Sequence, residues 1–365
     1  MDLEYKCRKC DLTVPASSGA IHCHCGGLYD LAWAADHLVV DPFIWSQFRY
    51  HEAMPVGDGP WQPMSLGEGM TPLVQLDASM PGIFVKQDYM MPTGSFKDRG
   101  AVIMVAKALE YGAQRIIQDS SGNAGTSVAA YAARAGIPCD IYIPVSTTEN
   151  KATQIEVHGA TVHRVEGSRE DTARAAYQAA QEEDVYYASH VYNPFFHQGT
   201  KTYAFEIVEQ LGRAPDTLVV PVGNGTLLIG AWIGFSDMLR IGQTHRMPRI
   251  IAVQSEGCAP IYEAFVAGAD TVQPADNTGT TADGIAIADP KRGDQILHAI
   301  RDTGGIVVKA PENQIMPWQA VLAEKGFYVE PTTAATFAGF DAWKQATDEE
   351  PGITVLPLCG TGLKL

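Results

Sequence analysis

From about residue 71 onward the apolar positions fall into a repeating alternation, in which short runs rich in β-branched residues are followed by longer stretches with helical spacing. The strand-like runs lie at 83–87, 115–118, 139–143, 161–165, 217–221 and 249–254, with a last one at 353–357. Helical patterns lie at 97–111, 125–135, 151–158, 169–182, 197–211 and 226–241, with two more at 312–325 and 332–345. This rhythm predicts an α/β protein with open, twisted, parallel-type sheets flanked by helices. In such sheets ligands gather at the loops that follow the strands, so chemistry is expected there.

The first 69 residues lack that regularity. Residues 1–35 are rich in Cys, Gly and His and too short to bury a core without a staple. The stretch 31–69 carries six aromatic residues with scattered Pro and Gly, and reads as a lead-in that wraps the main body. Four of the seven cysteines, Cys7, Cys10, Cys23 and Cys25, crowd into the first twenty-five residues. A Cys-x-x-Cys pair and a Cys-x-Cys pair, each able to sit on a tight knuckle, suit a tetrahedral metal better than disulfides in a reducing compartment. A structural zinc ion in a zinc-ribbon-like unit is the expectation, with His22 and His24 as alternative ligands.

Composition narrows the partners. At 365 residues and 46% hydrophobic content, the chain has material for more than one core. Its 42 acidic against 26 basic residues give a formal charge of -16, which repels phosphate backbones and anionic membranes, so neither nucleic acid nor a membrane is an expected partner. No run of eighteen apolar residues occurs and the opening MDLEYKCRKC has no apolar core, so a cytoplasmic location is expected. A homodimer is the default assembly for a soluble enzyme.

Three loops carry candidate chemistry. Met91-Pro-Thr-Gly-Ser-Phe-Lys97-Asp-Arg-Gly100 puts a lysine in the first turn of a helix, where the macrodipole opposes the ammonium form. That placement suits an amine nucleophile, and equally an ordinary exposed lysine at a helix start. The run 219–230 passes from an apolar strand through Gly223-Asn224-Gly225 into a helix, where glycines let the backbone approach an anion and free N–H groups supply donors. It lacks a Walker lysine and the full dinucleotide spacing. Asp119-Ser-Ser-Gly-Asn-Ala-Gly125-Thr likewise opens a helix and offers a nest for a carboxylate, or simply an N-cap.

Taken in order, LGEGMTPL at 66–73, TGSFKDRGA at 93–101, SSGNAGTSVAAYAARAGIP from Ser120, NPFFHQGTKTYAFEI from Asn193, PVGNGTLLIG from Pro221, TTADGIAI from Thr280 and YVEPTTAA from Tyr328 resemble the fold-type II pyridoxal-phosphate enzymes, and within them the threonine synthases. The resemblance implies pyridoxal 5'-phosphate as cofactor, with Lys97 as the Schiff-base lysine and proton shuttle. It implies that Asn123 bonds the cofactor's 3-hydroxyl and that Gly223, Asn224, Gly225, Thr226 and Leu227 cradle its phosphate. It implies that Ser121, Gly122, Ala124, Gly125 and Thr126 hold the substrate carboxylate, and that Cys359, in Cys-Gly-Thr-Gly-Leu-Lys364, faces the ring nitrogen. With it goes a division into a head of 1–35, a large cofactor-binding domain of 36–110 with 196–365, and a small mobile α/β domain of 111–195.

The implied reaction converts O-phosphohomoserine and water to threonine and phosphate. One residue departs from the pattern: Phe196 stands where many threonine synthases place an arginine that grips the substrate phosphate, and losing such a clamp costs on the order of 2 kcal/mol. His190, His197, Lys201 and Lys151 are the candidates to compensate. The alternatives are a threonine/serine ammonia-lyase or a β-replacement enzyme whose substrate has no phosphate, and a catalytically idle cofactor carrier whose zinc unit binds a partner.

Overall fold

The computed structural model describes residues 2–57 and 61–364; residues 58–60 of the lead-in lie outside the described residues. The chain divides into two compact units, one of Met1–Glu68 with Lys97–Thr200 and one of Gly69–Phe96 with Lys201–Leu365.

The first unit opens with strands β1 (Glu4–Cys7), β2 (Thr13–Pro15) and β3 (Tyr29–Leu31), which pair antiparallel in the order β2-β1-β3. The second unit takes the next two strands, β4 (Leu73–Gln75) and β5 (Ile83–Lys86). The first unit resumes with α1 (Lys97–Glu110), β6 (Arg115–Gln118), α2 (Asn123–Ala135), β7 (Cys139–Pro144) and α3 (Glu149–Glu156). It ends with β8 (Thr161–Val165), α4 (Arg169–Ala179), β9 (Val185–Tyr187) and α5 (Phe195–Thr200). The second unit continues through α6 (Thr202–Leu211), β10 (Thr217–Pro221), α7 (Thr226–Arg240), β11 (Arg249–Ser255) and α8 (Pro260–Val266). Its last elements are α9 (Gly293–Asp302), β12 (Ile306–Ala310), α10 (Glu312–Glu324), α11 (Pro331–Ala346) and β13 (Thr354–Pro357).

In the first unit β8-β7-β6-β9 form a four-stranded sheet, parallel throughout. In the second the order is β12-β11-β10-β13-β5-β4, parallel except for β4 at the edge. Strand β10, with neighbours on both sides and helices on both faces, is buried along its whole length, as a central parallel strand must be. Its Val219 packs with Ile251, Val253, Leu356, Leu322 and Phe337 in the core of that unit. Each such side chain contributes about 1.5–3 kcal/mol when fully buried.

Two boundaries differ from the sequence reading. The helical pattern 197–211 is broken into α5 and α6, because the Thr200 hydroxyl bonds back to the carbonyls of Phe196 and His197, both at 3.3 Å, a pattern that bends helices. Residues 36–68, 97–110 and 196–200, expected with the large domain, fall in the first unit instead, α1 among them. The cause is close contact of α1 with α5: a Cβ built on Gly199 falls 1.9 Å from the Arg99 carbonyl, so only glycine lets the two backbones meet. Among the described residues no helix is long and apolar enough to cross a membrane.

In the second unit the Lys86 ammonium, fully buried, donates to Glu206 at 2.6 Å and to the Thr71 carbonyl at 2.5 Å. The other Glu206 oxygen accepts the Met70 N–H at 2.9 Å. A buried ion pair needs such extra bonds to offset desolvation, and here they pin residues 70–71, part of the LGEGMTPL motif.

Candidate active site

Lys97 is the first residue of α1, and its Nζ stands 5.6 Å from the centroid of the Phe196 ring. A ring face at that distance attracts a cation and leaves no hydrogen bond in its direction. His190 and His197 flank the same ring edge-on, with centroids 5.9 and 6.5 Å away. Both histidines are buried. Burial, aided by the charges of Lys97, Arg169 and His197, holds His190 well below the usual imidazole range, so it is neutral. The next residue along from the lysine, Asp98, accepts the Ser127 hydroxyl at 2.5 Å, which ties the first turn of α1 to the second turn of α2.

The loop that opens α2 follows β6. Gly122 caps the helix with its backbone and without a side-chain cap bond, and Asn123 is the first helical residue. A Cβ on Gly125 would fall 1.9 Å from the Ser120 carbonyl, whereas one on Gly122 meets open space. The turn is therefore tight beneath and open above, with Ser121, Gly122 and Asn123 half-buried and Ala124, Gly125 and Thr126 buried. This leaves helix-start N–H groups for an anionic guest.

The corresponding loop in the second unit follows β10. Gly225 is the N-cap of α7 at φ 72°, a left-handed conformation that favours glycine, and no side chain caps the helix. A Cβ on Gly223 would come within 3.1 Å of the Gly284 carbonyl and 2.9 Å of Ile287. The loop is thus a backbone cradle at an uncapped helix N-terminus. It fits a phosphate monoester, and residues 284–287, inside the TTADGIAI motif, form its wall. Cys359 lies past the end of β13, a parallel neighbour of β10, so both loops leave the same edge of the sheet. It is buried, its N–H donates to the Thr333 hydroxyl at 3.0 Å, and its carbonyl accepts the Phe96 N–H at 2.9 Å.

Of the residues offered to compensate for Phe196, Lys201 is committed elsewhere. It is buried in the second unit, 3.0 Å from Asp237, with burial lowering its ammonium to about 8 against the pull of that carboxylate. Lys151 lies half-buried on α3.

Sequence reasoning missed a further group. The Asp119 carboxyl, the Tyr187 and Ser189 hydroxyls and His190 Nδ1 gather in a buried polar group, where Tyr187 lies between Asp119 and Ser189 and burial raises the Asp119 carboxyl above its usual range. They leave the C-terminal ends of β6 and β9, which are adjacent in the sheet and distant in the chain. The signal available in the sequence was Asp119 itself, an acid set directly before the glycine loop.

In the head, the four thiols of Cys7, Cys10, Cys23 and Cys25 converge, with every pair of Sγ atoms within 4.8 Å. Cys7 and Cys25 lie 3.5 Å apart and Cys10 and Cys23 3.6 Å. A tetrahedral zinc–thiolate centre has sulfur–sulfur edges of about 3.8 Å, so the set fits one. Donation from the Cys25 N–H lowers the Cys23 thiol to about 6, against its burial.

A lysine at a helix start in one unit, a glycine cradle at a helix start in the other and two parallel sheets describe a class, and the chain belongs to it: the pyridoxal-phosphate dependent enzyme family, whose model matches residues 64–360. Among its relatives is the threonine synthase of Methanosarcina acetivorans, 34% identical over 351 residues, covering 92% of this chain and 85% of that one. The threonine synthase of a Synechocystis strain is 36% identical over 324 residues, covering 86% and 82%. Maize serine racemase shares the fold, with a TM-score of 0.69 at 23% identity over 80% of this chain and 88% of that one.

Proposed function

We propose that this chain is a pyridoxal-phosphate-dependent carbon–oxygen lyase of the threonine synthase type, converting O-phosphohomoserine and water to threonine and phosphate. The observation that carries the reading is identity of 34–36% to threonine synthases along most of both chains. The glycine cradle at the start of α7 supports it, since it fits the cofactor's phosphate.

In this reading Lys97 holds the cofactor covalently, Gly223, Asn224, Gly225, Thr226 and Leu227 hold its phosphate, and Asn123 and Cys359 face its ring. The bound cofactor supplies an electron sink for the pair left on the substrate's Cα. Once the substrate's amine has displaced it from the cofactor, the freed Lys97 amine would remove the α-proton and move protons among Cα, Cβ and Cγ. Phosphate leaves from Cγ and water adds at Cβ. Ser121, Gly122, Ala124, Gly125 and Thr126 hold the substrate carboxylate, which fixes the bond to be broken. The cysteine head carries structural zinc, since four thiolates leave no open position for catalysis. Free cysteines throughout the described residues agree with a cytoplasmic location, and a homodimer is the assembly proposed.

One observation favours a second reading, a threonine/serine ammonia-lyase or β-replacement enzyme with a phosphate-free substrate: the apolar ring of Phe196 is buried beside Lys97. Phosphate release from O-phosphohomoserine, set against keto-acid formation from threonine and serine, separates the two. Lys97→Ala tests both: the visible absorption band that borohydride erases in the holoenzyme should vanish, and turnover should fall at least a thousandfold, on the order of 4 kcal/mol or more.

A further inference from the structure

In the first unit the head and the four-stranded layer leave a cleft that the proposed reaction does not use. Residues Ser17–His22, the stretch before Cys23, form one wall, and the end of α4 with the turn into β9 forms the other. The cavity measures about 470 Å³, within the range of about 300–1,000 Å³ that small-molecule sites span. His22 joins the two walls, its ring centroid 4.7 Å from that of Tyr192 and 5.6 Å from that of Tyr177. A narrower crevice shares Gly19, Ala20, Ile21 and Tyr186 with the cavity and is lined also by Tyr5.

Acids and phenol rings dominate the lining. Glu182, Glu183 and Asp184 stand exposed in a row at the rim, and among the described residues Glu182 alone of the three has an ion-pair partner, Arg115 at 3.5 Å. The rings of Tyr111, Tyr177 and Tyr186 line the same cavity, and ring faces attract cations. Tyr5 gives an independent sign of a missing guest. It is 3% exposed, and its hydroxyl makes no hydrogen bond with any described residue. A buried hydroxyl without a partner costs about 1–3 kcal/mol until a ligand or water completes it. Carboxylates repel an anion, and a phenol oxygen accepts from an N–H donor, so the fitting guest is a cation with several such donors. A linear chain suits the two-part shape, because it reaches from the rim into the narrow crevice. We propose that this cleft binds an aliphatic polyamine, with ammonium groups at Glu183 and Asp184, methylene segments along the tyrosine rings and one N–H donating to the Tyr5 hydroxyl.

Spermidine titrated into the holoenzyme by calorimetry at low ionic strength should bind the wild type saturably. Tyr5→Phe removes a hydroxyl that bonds to nothing in the fold, keeps the ring against Tyr29 and Phe195, and should weaken binding about threefold or more. Glu183→Gln/Asp184→Asn removes charge at nearly constant shape, and asparagine tolerates the left-handed backbone of residue 184, at φ 60°, as aspartate does. That pair should weaken binding about fivefold or more, the worth of two exposed ion pairs. An acidic chain also gathers polyamines loosely over its whole surface, so Asp348→Asn/Glu350→Gln, at exposed positions of the other unit, is the comparison and should bind like the wild type. No saturable binding by the wild type, an affinity unchanged by either change to the cleft, or an equal loss in the comparison protein overturns the proposal.

Discussion

The Phe196 ring occupies the space directly over Gly100, where a Cβ would lie 2.4 Å from the ring's Cδ2. Ring and glycine therefore form one fitted contact between α5 and α1, and the same ring sits beside the Lys97 amine.

Gly100→Ala forces the ring to move and should destabilise the protein by about 1–3 kcal/mol, as overpacking of a filled core does. The Gly100→Ala/Phe196→Leu double variant, with a smaller side chain opposite the new methyl, should recover part of the loss. Chemical denaturation of the three proteins measures it.

Gly223→Ala pushes a methyl to within 3.1 Å of the Gly284 carbonyl and the Ile285 Cα, so the cradle must open or the wall at 284–287 must retreat. Affinity for pyridoxal phosphate should fall by about tenfold or more, equivalent to at least ~1.4 kcal/mol. Titration of the apoprotein with cofactor, read by absorbance, checks this independently of turnover.

Lys201 gives a pH signature. Its ammonium titrates at about 8 in the folded protein, depressed chiefly by burial, whereas the unfolded chain holds its proton to about pH 10.4. Below pH 8 both states are charged and the folded state carries the full cost of burying the ammonium. Between those two values the unfolded state binds more protons, so this residue's contribution to stability rises with pH. The unfolding free energy of the wild type minus that of Lys201→Met should increase from pH 7.5 to 10, by an amount on the order of 1–3 kcal/mol. A flat difference would show that Lys201 keeps an ordinary affinity for its proton.

Metal analysis of the purified chain should find about one zinc per molecule, and Cys7→Ser/Cys10→Ser should lose it. Because β1 to β3 are short, the variant's head should become protease-sensitive, while the borohydride-sensitive band persists.

The strands at 115–118, 161–165 and 217–221 were legible to the residue, because each is a β-branched run bounded by turn residues and followed by a well-formed helix. The region 256–311 was not. Periodicity assigns no element there, yet it holds α8, α9 and β12. Helix α8 is a seven-residue segment opened by Pro260, and β12 is an edge strand whose burial does not alternate cleanly. Strand β9 was hidden by its three-residue length next to the acidic run 182–184. At the site, Lys97 and the glycine loops announced themselves because backbone approach restricts residue choice. The buried polar group at Asp119, Tyr187, Ser189 and His190 did not, because it exists only once β9 lies beside β6, and chain order says nothing of that adjacency.

Strand β13 is made after every other strand of its sheet, yet it is inserted between β5 and β10 rather than added at an edge. During synthesis the two halves of that sheet emerge with no means of pairing through their proper neighbour. The second unit must wait, half-assembled, until residues 354–357 leave the ribosome and close the gap.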